Sequence, residues 1–223
     1  MKLVYYPLNF VMELERGKAA SLVLEAPTLF ERFVVDFFRK LAKQNEVFAF
    51  YEGEKEKELV KCADLVTSPF DLTYNKREIQ KKLLAELESS AFEQDLAKDL
   101  SEANGQIVSV LEQLRFSGAY EIEYKEDFGV MDVLRDYDVH LRDPEGSFAE
   151  KLTDYIATLR MLLGKELFVL ANCDAYLTEE DYPHLEQCAA HYEVILLFLR
   201  NQQIGLRKGT KEYIIDSDLC EIH

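Results

Sequence analysis

The chain is short of positive charge. Its 223 residues carry 26 Lys and Arg against 42 Asp and Glu, a formal net charge of −16. That balance disfavours indiscriminate binding to polyanions and favours solubility or a demand for cations. Long apolar runs are missing too. No 18 consecutive apolar residues occur, so no transmembrane helix is expected, and the opening MKLVYYPLNFVMELERG is broken by Pro7, Asn9 and Glu13 and reads as a strand pair rather than a signal peptide. The four cysteines, Cys62, Cys173, Cys188 and Cys220, are scattered in or beside apolar segments. They read as reduced, buried thiols of a cytosolic protein. His184, Cys188 and His191 share one predicted helix face, but a zinc site needs a fourth ligand.

The usual catalytic signatures are also absent. There is no G-x-S-x-G and no H-E-x-x-H. A phosphate loop requires glycines whose N–H groups can approach phosphate, followed by a lysine. Here the strand SLVLE (21–25) runs into APTLFERF with neither residue, and Glu25 would repel phosphate.

What is present is an alternation of apolar strands and amphipathic helices. Strands are expected at Leu3–Tyr5, 10–14, 21–25, 47–51, 63–66, 120–124, 139–141, 166–171, 194–199 and 213–215, with a further segment at 219–222. Helices are expected from Thr28 to about Lys43, from about Asp127 to Arg135, from Ser147 and over 178–191. Thr28 with Glu31, Asn75 with Glu78, and Ser147 with Glu150 have capping-box spacing. Residues 52–61 read as a solvated turn. Between 75 and 116 two or three long amphipathic helices follow one another, with Phe92, Leu96, Leu100, Ala103, Ile107, Val110, Leu111 and Leu114 recurring at helical spacing. The expected fold class is α/β, a mainly parallel doubly wound sheet like a P-loop ATPase head without its phosphate loop, plus an α-helical leg. The head would take residues 1–74 and 138–223, and the leg with an acidic segment residues 75–137.

Three local features bear on function. ELFVLANCDAYL (166–177) places Asn172, Cys173 and Asp174 just after a buried strand, where nucleotide hydrolases hold a metal. Asn172 is a poor magnesium ligand, and Asp174 is either a lone carboxylate or a turn residue. YEIEYKEDFGVMDVLRDYD (120–138) holds seven acids against Lys125 and Arg135. These are either a solvated acidic surface or a calcium or magnesium site of hard oxygen ligands, although the EF-hand pattern is absent. Basic residues cluster at Lys76, Arg77, Lys81 and Lys82, and again in RNQQIGLRKGTK (200–211), as surface charge or phosphate contacts. Glu78 and Lys82 have the spacing of a helix-supporting ion pair.

The stretches LVTSPFDLTYN (65–75), IQKKLLAELES (79–89), YEIEYKE, LFVLANCDAYLT, VILLFLR (194–200) and YIIDSD (213–218), in this order, resemble the CRISPR adaptation proteins specific to type II-A loci. The resemblance runs along nearly the whole chain. It implies a cytoplasmic, non-enzymatic protein serving spacer acquisition. It further implies a homotetrameric ring with a basic channel, held by calcium (Ca2+), that binds ends of linear double-stranded DNA and meets other CRISPR adaptation proteins. The calcium ligands it implies are Glu121, Glu123, Glu126, Asp132 and Asp127, with Lys125 standing where an acid is expected. The channel residues it implies are Lys76, Arg77, Lys81, Lys82, Arg207, Lys208 and Lys211. A metal-dependent nuclease or nucleotide-processing enzyme using Asp174 and the same carboxylates is the alternative.

Overall fold

A computed structural model describes residues 1–126, 128–203 and 210–222. In chain order the elements are β1 (Lys2–Tyr5), β2 (Phe10–Glu13), β3 (Ala19–Leu24), α1 (Pro27–Leu41), β4 (Phe48–Glu52), β5 (Lys55–Lys57), α2 (Leu59–Cys62), β6 (Ala63–Val66), α3 (Arg77–Glu93), α4 (Leu96–Ser117), α5 (Val130–Asp136), α6 (Phe148–Leu163), β7 (Leu167–Ala171), α7 (Asp181–Tyr192), β8 (Ile195–Arg200), β9 (Lys211–Ile215) and β10 (Glu221–Ile222). Among the described residues no helix is long and apolar enough to cross a membrane.

The chain divides into two compact units, Met1–Thr73 with Asp143–His223, and Tyr74–Arg142. The first is the α/β head. Its larger sheet has the order β10-β9-β3-β8-β7-β6. β9, β3, β8, β7 and β6 run parallel, and β10 closes the edge antiparallel to β9. A second sheet, β2-β1-β4-β5, is antiparallel throughout.

Buried parallel strands are apolar on both faces, and period 2 sorts them. Leu22, Leu24, Leu167, Val169, Ile195, Leu197 and Leu199 share one core with Leu3, Tyr5, Met12 and Phe50 of the second sheet and with Phe33 and Phe37 of α1. The intervening residues Phe168, Leu170, Leu196 and Phe198 are equally buried. Against that face Tyr182 of α7 lies 5.5 Å from Phe198, and Tyr155 of α6 hydrogen-bonds Asp64 at 2.7 Å. An aromatic cluster anchors α1: the ring of Phe33 lies 4.9 Å from Tyr5 and 5.0 Å from Phe48. The Tyr5 hydroxyl donates to Asp36 at 2.8 Å, and burial followed by that carboxylate holds its proton well above the usual phenol range.

Several expectations are corrected. α1 begins before Thr28, with Ala26 as cap and Pro27 in the first turn, because proline's fixed φ suits that position and its missing N–H costs nothing there. α3 begins at Arg77 with Lys76, not Asn75, as its cap. The turn at 52–61 holds β5 and α2, the chain reversing at Gly53 with φ 62°. The box at Ser147 forms as read, Glu150 N donating to Ser147 Oγ and Ser147 N to Glu150 Oε2, and α6 ends on Gly164 at φ 70°. Residues 139–141 are irregular and belong to the helical unit. Cys62, Cys173 and Cys188 are buried, but Cys220 is exposed beside the short edge strand β10.

The second unit contains α3, α4 and α5. Helix α3 ends at Glu93, and Asp95, at φ 60°, separates it from α4. Residues 120–124 are irregular rather than a strand. Their alternating pattern has no described sheet in this unit to pair with, so the segment is fastened to α4 by side chains instead. Tyr124 donates to Glu112, and Asn104 Nδ2 donates to the Glu126 carbonyl at 2.9 Å.

Candidate nucleic-acid interface

The strands of the head run parallel, so their C-terminal ends form one edge, the usual ligand edge of such sheets. After β3 comes Glu25, whose carboxylate accepts from Gln203 Nε2 at 2.9 Å. Pro27 offers no N–H, and the amides of Leu29 and Phe30 both donate to the Ala26 carbonyl at 3.0 Å, which leaves the Thr28 amide as the open donor of the turn. A helix N-terminus binds phosphate through free N–H groups. Here Pro27 removes one, the Ala26 carbonyl engages two, and Glu25 brings a carboxylate next to the turn.

After β7 the chain turns at Asn172, in the left-handed region at φ 52°, and delivers Asp174. Both Asp174 oxygens are occupied. Arg200, the last residue of β8, donates from Nη2 to Oδ1 at 2.6 Å and from Nε to Oδ2 at 3.0 Å, and the Tyr182 hydroxyl donates to Oδ1 at 2.5 Å. Arg200 also donates to Ser21 Oγ at 3.0 Å and lies 5.3 Å over the Phe198 ring. The paired side chains are only 6% and 7% exposed. Burial raises the Asp174 pKa, but hydrogen bonds from Arg200 and Tyr182 outweigh it and hold the carboxyl below its ordinary range. Asp174 is therefore a buried ion-pair partner, neither an open metal ligand nor a plain turn residue. Sequence reading missed this because Arg200 lies 26 positions away.

The acidic segment is arranged differently from an assembled metal site. Asp132 Oδ2 accepts from the Lys125 ammonium at 2.7 Å and from the Gly129 amide at 3.0 Å. Those two hydrogen bonds, Lys125's foremost, hold its pKa below the carboxylate norm. The Lys125 ammonium also lies 5.9 Å over the Phe128 ring. Glu121, Glu123 and Glu126 are exposed. Asp127 lies outside the described residues. Among the described residues no three acidic, His or Cys side chains gather to hold a metal ion. The donor chemistry suits calcium, but the described residues of one chain do not close a ligand set around it.

The basic candidates fall in both units. Arg77, Lys81 and Lys82 are exposed in the first turns of α3, and none is held in an ion pair with another described residue. The expected Glu78–Lys82 pair is not formed. Arg77 and Lys81 are one turn apart on the same face, where the positive end of the helix dipole adds to their field. Lys76, the cap, is half-buried. In the head, Lys211 opens β9, 3.6 Å from Glu13 and 5.0 Å over the Tyr213 ring. Arg207 and Lys208 lie outside the described residues.

The family model for CRISPR-associated protein (Cas_Csn2) matches residues 40–219, most of the chain. The chain belongs to this family. Its role is therefore CRISPR-associated, and the resemblance to the type II-A adaptation proteins is to this family. Among curated proteins none matches. A solved structure described as a putative ABC transporter (ATP-binding protein) from Pyrococcus furiosus is similar over 92% of this chain and 88% of its own, at 9% identity and a TM-score of 0.36. That likeness is too low to carry an argument. The match to Cas_Csn2 spans both units, so the acidic segment and the basic start of α3 belong to the family's shared region.

Proposed function

We propose that this chain binds ends of linear double-stranded DNA, without cutting or modifying them, as a calcium-stabilised homotetrameric ring serving spacer acquisition. Membership of the Cas_Csn2 family carries the reading. The closed ligand edge of the head supports it: a sheet whose phosphate-loop position holds Glu25 and Pro27, and whose strand-end carboxylate is neutralised by Arg200, is poorly suited to nucleotide chemistry. The nuclease alternative loses Asp174 for the same reason.

Assembly is supported by α4. Leu96, Leu100, Ala103, Ile107, Val110 and Leu114 follow a 4-3-4-3-4 spacing, the a/d pattern of a helix seam. Ile107, Val110 and Leu114 are 54–55% exposed in the single chain. The flanking Asn104, Gln106 and Gln113 are uncharged, so a second copy can approach despite the acidic composition. Calcium takes six to eight oxygens. Glu121, Glu123 and Glu126 do not gather into one site among the described residues of the chain, and donors from a second chain would complete a shell, which couples the metal to the ring. DNA contact falls to the basic residues, Arg77, Lys81 and Lys82 first, through phosphates and without base readout. Other CRISPR adaptation proteins are its expected partners.

Native mass measured in calcium and in chelator tests the reading. A four-subunit species in calcium that dissociates in chelator is expected; a monomer in both conditions refutes the ring. Magnesium-dependent degradation of linear duplex by a clean preparation would favour the nuclease.

A further inference from the structure

The ligand edge of the head is acidic. Glu25 follows β3, Asp71 follows β6, Glu179 and Asp181 follow β7, and Asp216 and Asp218 follow β9. Arg200 ends β8 on that edge but is consumed by Asp174. Among the described residues, this edge disfavours a polyanion. The opposite edge, at the strand N-termini, is different. Lys18 precedes β3 and Lys211 opens β9, and together with Lys2 of β1 they line a cleft of about 450 Å³. Glu13 and Glu15 stand at the same cleft, so three ammonium groups face two carboxylates in a chain where acids outnumber bases.

We propose that this cleft seats a backbone phosphate of duplex DNA, so that the head meets DNA with the edge opposite its ligand edge. The inference rests on the DNA-binding reading above. Its ion pairs are open to exchange: Lys18 Nζ lies 2.8 Å from Glu15 and Lys211 Nζ lies 3.6 Å from Glu13, with all four side chains more than half exposed. Exposed pairs of this kind are weak, and a phosphate can replace either carboxylate. The platform beneath Lys211 is fixed. The Tyr213 hydroxyl accepts from the Glu13 amide at 2.7 Å and donates to the Glu13 carbonyl at 3.0 Å, tying β9 to β2. Lys2 is exposed and carries no ion pair with another described residue. The excess of ammonium groups disfavours a metal in the cleft, and ammonium on flexible stems gives charge without sequence reading.

The test is fluorescence anisotropy of a labelled blunt duplex over a salt series. Each phosphate neutralised by the protein contributes about one to the slope of log Kd against log salt. Lys2→Gln with Lys18→Gln is expected to bind more weakly and to lower that slope by about one, the single phosphate seated there, with circular dichroism and melting unchanged. Glu13→Gln with Glu15→Gln is expected to bind more tightly, because it frees Lys18 and Lys211. Wild-type affinity and slope in both variants overturn the cleft while leaving DNA binding intact. A wild-type chain that binds no duplex overturns the functional reading itself, and this inference with it.

Discussion

Replacing Asp174 by Asn separates the two uses of a strand-end carboxylate. If Asp174 is the partner of Arg200, the substitution leaves a guanidinium buried at 6% exposure facing an amide. Breaking a buried pair from one side costs about 3–5 kcal/mol. For a domain of this size each kcal/mol moves Tm by about 2–4 °C, so a fall of about 6–20 °C is expected. Removing both charges, as Asp174→Leu with Arg200→Met, abolishes the uncompensated charge. It should recover part of the loss, leaving about 2 kcal/mol for the Ser21 hydroxyl that loses its donor and the Tyr182 hydroxyl that loses its acceptor. Thermal melts followed by far-UV circular dichroism, with chelator present, read both variants. A metal-ligand carboxylate predicts the opposite sign, since its removal from the metal-free protein relieves repulsion. An Asp174→Asn variant as stable as wild type would refute the pairing argument.

Phe33→Ala removes a fully buried ring packed on Tyr5 and Phe48, and denaturant unfolding should show a loss of about 3–5 kcal/mol. Ser147→Ala deletes the side-chain cap of α6 and should cost about 1 kcal/mol by the same measurement. A thiol reagent should modify Cys220 rapidly in the native protein and Cys62, Cys173 and Cys188 only after unfolding, because burial pushes those three thiols up to about 11, 12 and 11. Asp174 is held below its unfolded pKa, so its contribution is fully present above the ordinary Asp value of about 3.9 and is lost as pH falls through the folded value. Stability measured against pH should therefore fall more steeply below about pH 4 in wild type than in Asp174→Asn. The same holds for Glu166: burial raises its pKa, but Lys57 and Arg16 bring it below the norm.

Legibility in the sequence followed the range of the interaction. β7 and β8 are short apolar runs between turns, and their burial on both faces is what such runs signify. The box at Ser147 and Glu150 spans one helical turn, and it forms as read. The strand expected at 120–124 failed because alternation only offers an edge; a strand also needs a neighbour, and this unit has no described sheet. The site was harder to read. Exposure of Arg77, Lys81 and Lys82 could be expected from their charge. Nothing local announces that Arg200 claims Asp174 across two strands, or that Lys125 claims Asp132. The latter pairing gives a physical place to the lysine that stands where the resemblance implies an acid. The cleft at Lys2, Lys18 and Lys211 joins residues from three distant parts of the chain, which only the topology brings together.

A closed ring that threads DNA must distinguish an end from a circle of the same sequence. One plasmid, relaxed and covalently closed or cut once, presents identical phosphates in both forms. Mobility shifts in calcium should show binding to the cut form, little to the closed form, and loss of the complex with chelator. Equal affinity for the two forms would contradict end binding by a ring.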